Sequence, residues 1–201
     1  MRKTYTWSVA LLGLIALSAC QQIPTAPEEG DTIEGRDRTF TSETWGFSIT
    51  PPPDSLWSLS ATEFRALREP NGLSPVQVIM RRTTIGNGGI ARPVFLMDSY
   101  GASEAQELGA VTDAFDAQFG SRFVNYNTFG GRDTTTVGGL PAIEWRFRAR
   151  QPESGLHLGH SRFLAIVFIR GDQMYTVLCS GENQDFPELG FRTILSSIRF
   201  D

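Results

Sequence analysis

Ile143-Glu144-Trp145-Arg146-Phe147-Arg148-Ala149-Arg150 alternates without a break between apolar and charged residues. Successive side chains of a β-strand point to opposite faces, so this period of two predicts a strand. Ile143, Trp145, Phe147 and Ala149 share the face that needs a core, and Glu144, Arg146, Arg148 and Arg150 share the other. Upstream, Phe123-Val124-Asn125-Tyr126 leads to Thr134-Thr135-Thr136-Val137, and Gly138-Gly139 turns the chain into the alternating run. Downstream, Phe163 to Ile169 is apolar throughout, the pattern of a strand covered on both faces. Gly171-Asp172 then reads as a tight turn into Met174 to Cys179, which completes a meander of four strands.

Before the meander lies the clearest predicted helix, Ser103 to Phe119. Leu108, Val111, Phe115 and Phe119 recur at steps of three and four and give one apolar face. Ser103 and Gln106 fit a capping box, and Gly120 supplies the stop. The domain is expected to begin near Phe40, with a strand over Trp45 to Thr50 that Pro51-Pro52-Pro53 ends. Leu56 to Leu59 reads as a short strand. Ser60-Ala61-Thr62-Glu63 fits a capping box and predicts a brief helix to about Arg68, ended by Pro70-Asn71-Gly72. Val76 to Met80 and Pro93 to Met97 read as strands joined across a Gly86-Asn87-Gly88-Gly89 turn. Asp185 and Glu188 box the start of a last helix carrying Phe186, Leu189, Ile194 and Leu195, and Ser197 to Phe200 closes the chain. This order is satisfied by an α+β fold, an antiparallel sheet flanked by helices on both faces.

The order and punctuation resemble the PsbP-like fold. The matching pieces are Gly46-Phe47-Ser48-Ile49 followed by Pro51 and Trp57, then Gly139-Leu140-Pro141-Ala142, the hairpin around Gly171, and the ending Ile194-Leu195-Ser196-Ser197-Ile198-Arg199-Phe200. That family includes photosystem II extrinsic subunits, a nuclear Ran-binding factor and many bacterial lipoproteins. The resemblance implies an α/β/α sandwich over residues 39–201 and a binding or assembly module more than an enzyme. It carries over no catalytic residues.

The first twenty residues follow a different logic. Arg2 and Lys3 give a positive start, Trp7 to Leu17 is apolar apart from Ser8 and Gly13, and Ser18 and Ala19 are small. A charged start, a short apolar middle and small residues before a cut make a secretory signal over residues 1–19. The apolar stretch is shorter than the roughly 20 residues of a membrane span. Leu17-Ser18-Ala19-Cys20 resembles the lipobox of bacterial lipoproteins. That resemblance implies a diacylglyceryl group on the Cys20 sulfur, cleavage just before it, and acylation of the new amine, with palmitate the expected chain. Gln21 after the cysteine is similar to Gram-negative signals for the outer membrane, facing the periplasm. Two or more acyl chains hold a protein stably at a bilayer, at about 0.8 kcal/mol per buried CH₂. Residues 20–38 then read as a lipidated cysteine and a flexible linker. Pro24, Pro27, Gly30, Gly35 and six charges between Glu28 and Asp37 leave too little apolar surface to fold. Its residues 21–38 span roughly 23 Å as a coil and about 55 Å if extended as polyproline II.

Removing Arg2 and Lys3 from the 18 basic residues leaves 16 against 22 acidic ones, a formal charge of −6. A general nucleic-acid binder shows a basic domain instead, so no nucleic-acid partner is expected. With Cys20 lipidated, Cys179 has no partner in the chain. In its strand-like run it reads as a small buried hydrophobe, with no cation-rich motif beside it to activate the thiol. No G-x-S-x-G elbow occurs. The two histidines, His157 and His160, fall in a Gly-flanked stretch and read as solvated loop residues. With Glu153 they fall short of a zinc ligand set, so no metal and no cofactor is expected. Gly86 to Gly89 lacks the Lys and Ser/Thr of a phosphate loop.

Arg146, Arg148 and Arg150 are the surface feature that stands out. In a strand they point the same way, roughly 6.6 Å apart. Arginine suits bidentate binding of carboxylate or phosphate, so the row is a candidate anion or partner contact. The plainer reading pairs it with acids on neighbouring strands. The expectation for function is a membrane-anchored, non-catalytic binding or assembly module with an envelope protein partner. The alternative is a periplasmic hydrolase whose site forms only in three dimensions. Cys20→Ser is expected to release soluble protein or to leave an uncleaved precursor on cell fractionation. Membrane-bound protein with a normally processed N-terminus contradicts the lipid anchor.

Overall fold

The structure is a computed structural model, and it describes residues 32–34, 39–53, 56–83, 92–150 and 159–201. The signal segment, Cys20, most of the linker, the Gly86–Gly89 turn and His157 lie outside the described residues.

The alternating run becomes β8 (Leu140–Arg150), flanked by β7 (Val124–Val137) and β9 (Arg162–Arg170). With β4 (Trp57–Glu63), β5 (Val76–Arg82), β6 (Val94–Gly101) and β10 (Gln173–Gly181) they form a seven-stranded sheet in the order β4-β5-β6-β10-β9-β8-β7. Every pairing is antiparallel. The period of two sorts each inner strand between two cores. On one face Trp145 and Phe147 of β8 meet Phe163, Ala165 and Val167 of β9. On the other, Leu164, Ile166 and Phe168 of β9 meet Tyr175, Val177 and Cys179 of β10. The seven-residue apolar run of β9 is therefore covered on both faces, as its sequence implies.

Helix α1 (Leu108–Arg122) packs Val111, Phe115 and Phe119 into the first core. Phe147 and Phe163 stack at 4.8 Å between centroids, and Phe119 stacks on Phe147 at 5.8 Å. The expected capping box is not used. The helix starts after Glu107, without a side-chain cap, and runs through Gly120 to Arg122. Stopping at Gly120 would leave Phe123 short of Phe163, which its ring meets at 4.9 Å. That aromatic contact outweighs the roughly 1 kcal/mol that glycine costs inside a helix.

Helix α2 (Glu188–Ser197) buries Phe191, Ile194 and Leu195 in the second core. It shares that core with a second sheet, which the single-sheet expectation did not include. This sheet has the order β1-β2-β3-β11, from β1 (Thr32–Glu34), β2 (Thr39–Ser42), β3 (Phe47–Ile49) and β11 (Arg199–Phe200). It joins the two ends of the domain, Phe200 pairing with Phe47. β1 lies within the stretch read as linker and pairs Ile33 with Phe40.

The predicted helix from Ser60 to Arg68 is not formed. Residues 57–63 are strand β4, paired along its length with β5, with Trp57 and Ala61 buried. The local box signal loses to seven ladder pairs and to the contact of Trp57 with Phe191, 5.6 Å between centroids. The β7–β8 hairpin closes with Gly138 and Gly139, both at positive φ, the conformation a two-residue primed turn demands. A Cβ on Gly138 would also stand 2.7 Å from the Phe200 ring, so glycine lets the C-terminal strand close over this turn.

Candidate functional site

The polar face of β8 lies on the side of the sheet that α2 covers, and α2 divides it. Ala142 is small and buried, and Glu144 is buried with only 5% of its surface exposed. Burying a carboxylate is costly unless charge and hydrogen bonds compensate it. Arg192 of α2 supplies both, its Nη1 donating to Oε2 at 2.5 Å and its Nη2 to Oε1 at 2.7 Å. One residue along the row, Arg146 donates from Nη2 to Glu188 Oε1 at 2.9 Å. It also lies 3.4 Å from Glu144 and 3.8 Å from Asp133 of β7. Arg162, paired across from Arg148 on β9, donates to Glu188 Oε2 at 3.1 Å and lies over the Phe186 ring. The Arg146 hydrogen bond holds the Glu188 carboxyl below its usual range, helped by the charges of Arg162 and Arg192.

The three arginines singled out from sequence thus separate. Arg146 is neutralised by acids, but chiefly by Glu188 of α2 and only at 3.8 Å by Asp133 on the neighbouring strand that the plainer reading pointed to. Arg148 and Arg150 are exposed, and among the described residues no carboxylate pairs with either. Arg148 lies over the Phe129 ring of β7 at 5.3 Å. Phe129 sits on the edge strand, so the cation is carried toward the free rim of the sheet. Sequence reading missed Glu188, Arg192 and Arg162. Glu188 and Arg192 stand four apart on one helix face and 3.7 Å apart in space, a spacing visible in the sequence. Glu144 gave no signal that it would be buried, because alternation alone cannot say what covers the second face.

Between the end of β7 and α2 lies a half-open cleft of about 190 Å³, lined by Thr135, Thr136, Val137, Ile166, Arg192, Leu195 and Ser196. Across the sheet, Asp98 accepts from Gln77 at 2.8 Å, and burial pushes its carboxyl up to about 6. No group of three or more His, Cys, Asp or Glu suited to a metal occurs among the described residues. No described helix is long and apolar enough to cross a membrane. Cys179 is fully buried, and that burial raises its thiol well above the usual range, the state of an inert core thiol.

His160 corrects the expectation of a solvated loop residue, since only 2% of it is exposed. Its Nδ1 lies 2.9 Å from Ser180 Oγ. That is the spacing of a base and nucleophile, but Ser180 is wholly buried and accessible to no substrate. The contact ties the start of β9 to the end of β10. Burial lowers the ring from 6.5 to about 4, against a hydrogen bond to the Arg92 backbone that raises it. A ring whose folded value is depressed lends stability that is complete above pH 6.5 and lost as pH falls toward 4, because only the unfolded chain takes up the proton there. His160→Gln is expected to lose about 2 kcal/mol less than the wild type between pH 7 and pH 4.5 in urea unfolding. Equal losses would show the ring to be freely protonated in the fold.

No family model matches the chain. No curated protein matches it either. Among solved structures it is similar to the solution structure of cyanobacterial PsbP (CyanoP) from Synechocystis sp. PCC 6803. The TM-score is 0.50 at 13% sequence identity, over 81% of this chain and 91% of that one. At that identity the likeness is one of fold: the domain has a PsbP-like, sheet-rich α+β fold.

Proposed function

We propose that the protein is a bacterial lipoprotein, anchored through Cys20, whose α/β/α sandwich of PsbP type is a non-catalytic binding or assembly module of the cell envelope. In a two-membrane host it sits on the outer membrane and faces the periplasm. The observation that carries the binding reading is the division of the arginine row. The Glu144, Glu188 and Asp133 carboxylates neutralise Arg146 and Arg192, while Arg148 and Arg150 stay exposed on an otherwise acidic chain. Arginine over an aromatic ring is pre-ordered for a partner, and Arg with Phe is typical of interface centres. Exposed Leu189 on α2 adds an apolar group to the same side. The partner this surface fits is an envelope protein with an acidic patch. The only described Ser–His contact is sealed from solvent, so the surface supports binding better than hydrolysis.

The test is crosslinking and pull-down from membranes of the native host, with wild type beside Arg148→Gln/Arg150→Gln. The double variant touches none of the ion pairs that hold α2, so its unfolding midpoint is expected to stay unchanged. Its capture of the partner is expected to fall about tenfold, some 1.4 kcal/mol. Unchanged capture would retire the arginine pair as a contact. Binding of the wild type to phosphatidylglycerol vesicles, with no protein captured, would replace the protein partner with a lipid surface.

A further inference from the structure

Helix α1 packs on β7, β8 and β9, and no residue of β4 or β5 belongs to the core it covers. On that side of the sheet β4 and β5 present a row of their own, with Ser58, Ser60 and Thr62 across from Arg81, Ile79 and Gln77. At the end of this row Arg81 stands between exposed Ser58 and buried Val94 of β6. Arg81 and Arg82 are consecutive in a strand, so they point to opposite faces. Arg82 faces the α2 side, where Asp185 lies 3.8 Å from it. Arg81 is half-buried, and among the described residues no carboxylate pairs with it.

Arg92 lies at the same end of the sheet, two residues before Val94. Pro93 keeps its backbone extended, and His160 hydrogen-bonds that backbone. Its side chain is exposed, and its charge reaches Arg81. Burial, and after it this like charge, lower the Arg81 guanidinium from its usual range. The acids of this region do not offset them. Glu182 follows β10 at this end, and it makes no ion pair with either arginine. Asp185 is on the other face with Arg82. Asp98 pairs with Gln77, four residues back along β5 from Arg81, roughly 13 Å away along the strand. Between Arg82 and Arg92 the chain holds no acid. Two guanidiniums brought together, one of them partly desolvated, without a counter-charge are an unfavourable pair. A bound anion removes both costs.

We propose that Arg81 and Arg92 form a binding site for a phosphate monoester, on the face of the sheet opposite Arg148 and Arg150. A phosphate monoester carries a charge of about −1.5 to −2 at neutral pH and three acceptor oxygens, which matches two guanidiniums. A carboxylate carries a single charge and leaves one arginine uncompensated. Each guanidinium fork donates two parallel hydrogen bonds to phosphate oxygens. Ser58 Oγ donates to the Arg81 carbonyl at 3.3 Å, which fixes the strand and leaves the guanidinium to the ligand. The phosphate belongs to a soluble monoester or to a lipid headgroup, and the site reads the group they share. It stands or falls apart from the partner contact at Arg148 and Arg150.

Titration calorimetry of glycerol 3-phosphate into the full mature chain in detergent micelles tests it. A dissociation constant of about 1 mM is expected near neutral pH. Binding is expected to weaken at about pH 5, where the monoester loses its second charge. Acetate is expected to bind at least about tenfold more weakly. Arg81→Gln/Arg92→Gln is expected to weaken glycerol 3-phosphate about tenfold or more. Its unfolding midpoint without ligand is expected to be unchanged or higher, because a repulsion is removed. Arg148→Gln/Arg150→Gln is expected to bind the monoester as the wild type does. No binding by the wild type, acetate bound as tightly, undiminished binding by Arg81→Gln/Arg92→Gln, or an equal loss in Arg148→Gln/Arg150→Gln overturns the proposal. Phosphatidic acid added to the micelles identifies the source. If it displaces glycerol 3-phosphate at a lower headgroup concentration, the ligand is a lipid; if it does not, the ligand is a soluble monoester.

Discussion

Glu144 is a carboxylate on a sheet face that a helix covers, and the two hydrogen bonds from Arg192 are what make that burial tolerable. Both groups are fixed by it. Glu144 stands on an inner strand of the meander and Arg192 midway along α2, so the pair holds the helix at one position over β8. A neutralised pair of this kind adds modest net stability, but removing one member leaves a buried charge unmatched. Its larger effect is on specificity of arrangement. With Arg192 on Glu144, Glu188 at the helix start falls between Arg146 and Arg162. The row on β8 is then split into a neutralised half and an exposed half.

The rest of the second core follows the same helix. Phe191 reaches Trp57 on β4, and Ile194 and Leu195 lie over the sheet interior. Ser197 at the helix end receives the Thr50 amide at 2.9 Å and donates to the Thr50 carbonyl at 2.8 Å, which ties the small sheet to α2. In the other core α1 depends mainly on aromatic stacking, with Arg132 of β7 pairing to its Asp113 and, at 2.7 Å, to its Asp116. Each helix is thus pinned to the β7–β8 hairpin by arginine–carboxylate contacts around an apolar centre.

What was legible in the sequence was whatever has a period. The apolar run of β9 and the stripe of α1 state their own burial, and the structure realises both; the alternation of β8 is realised from Trp145 onward, while Glu144 is buried and Ile143 only half-buried. What was not legible depended on partners distant in the chain. Ser60 to Glu63 carries a helix-start signal, yet the ladder to β5 makes it strand. Thr32 to Glu34 is too short and polar to announce itself, and is a strand only because Phe40 and its neighbours stand beside it. His160 follows Gly159 in sequence and is buried against Ser180, twenty residues away. For the site, the arginine row was visible, but its division was not, because Glu188 and Arg192 reach it from α2.

A double-mutant cycle between Glu144→Gln and Arg192→Met, read by urea unfolding at pH 7, measures the interaction on which this arrangement depends. A coupling of about 1.5–3 kcal/mol is expected for a buried carboxylate held by two charged hydrogen bonds. A coupling below about 0.3 kcal/mol, within the scatter of independent sites, would mean that the pair does not hold α2. The division of the arginine row would then need another cause.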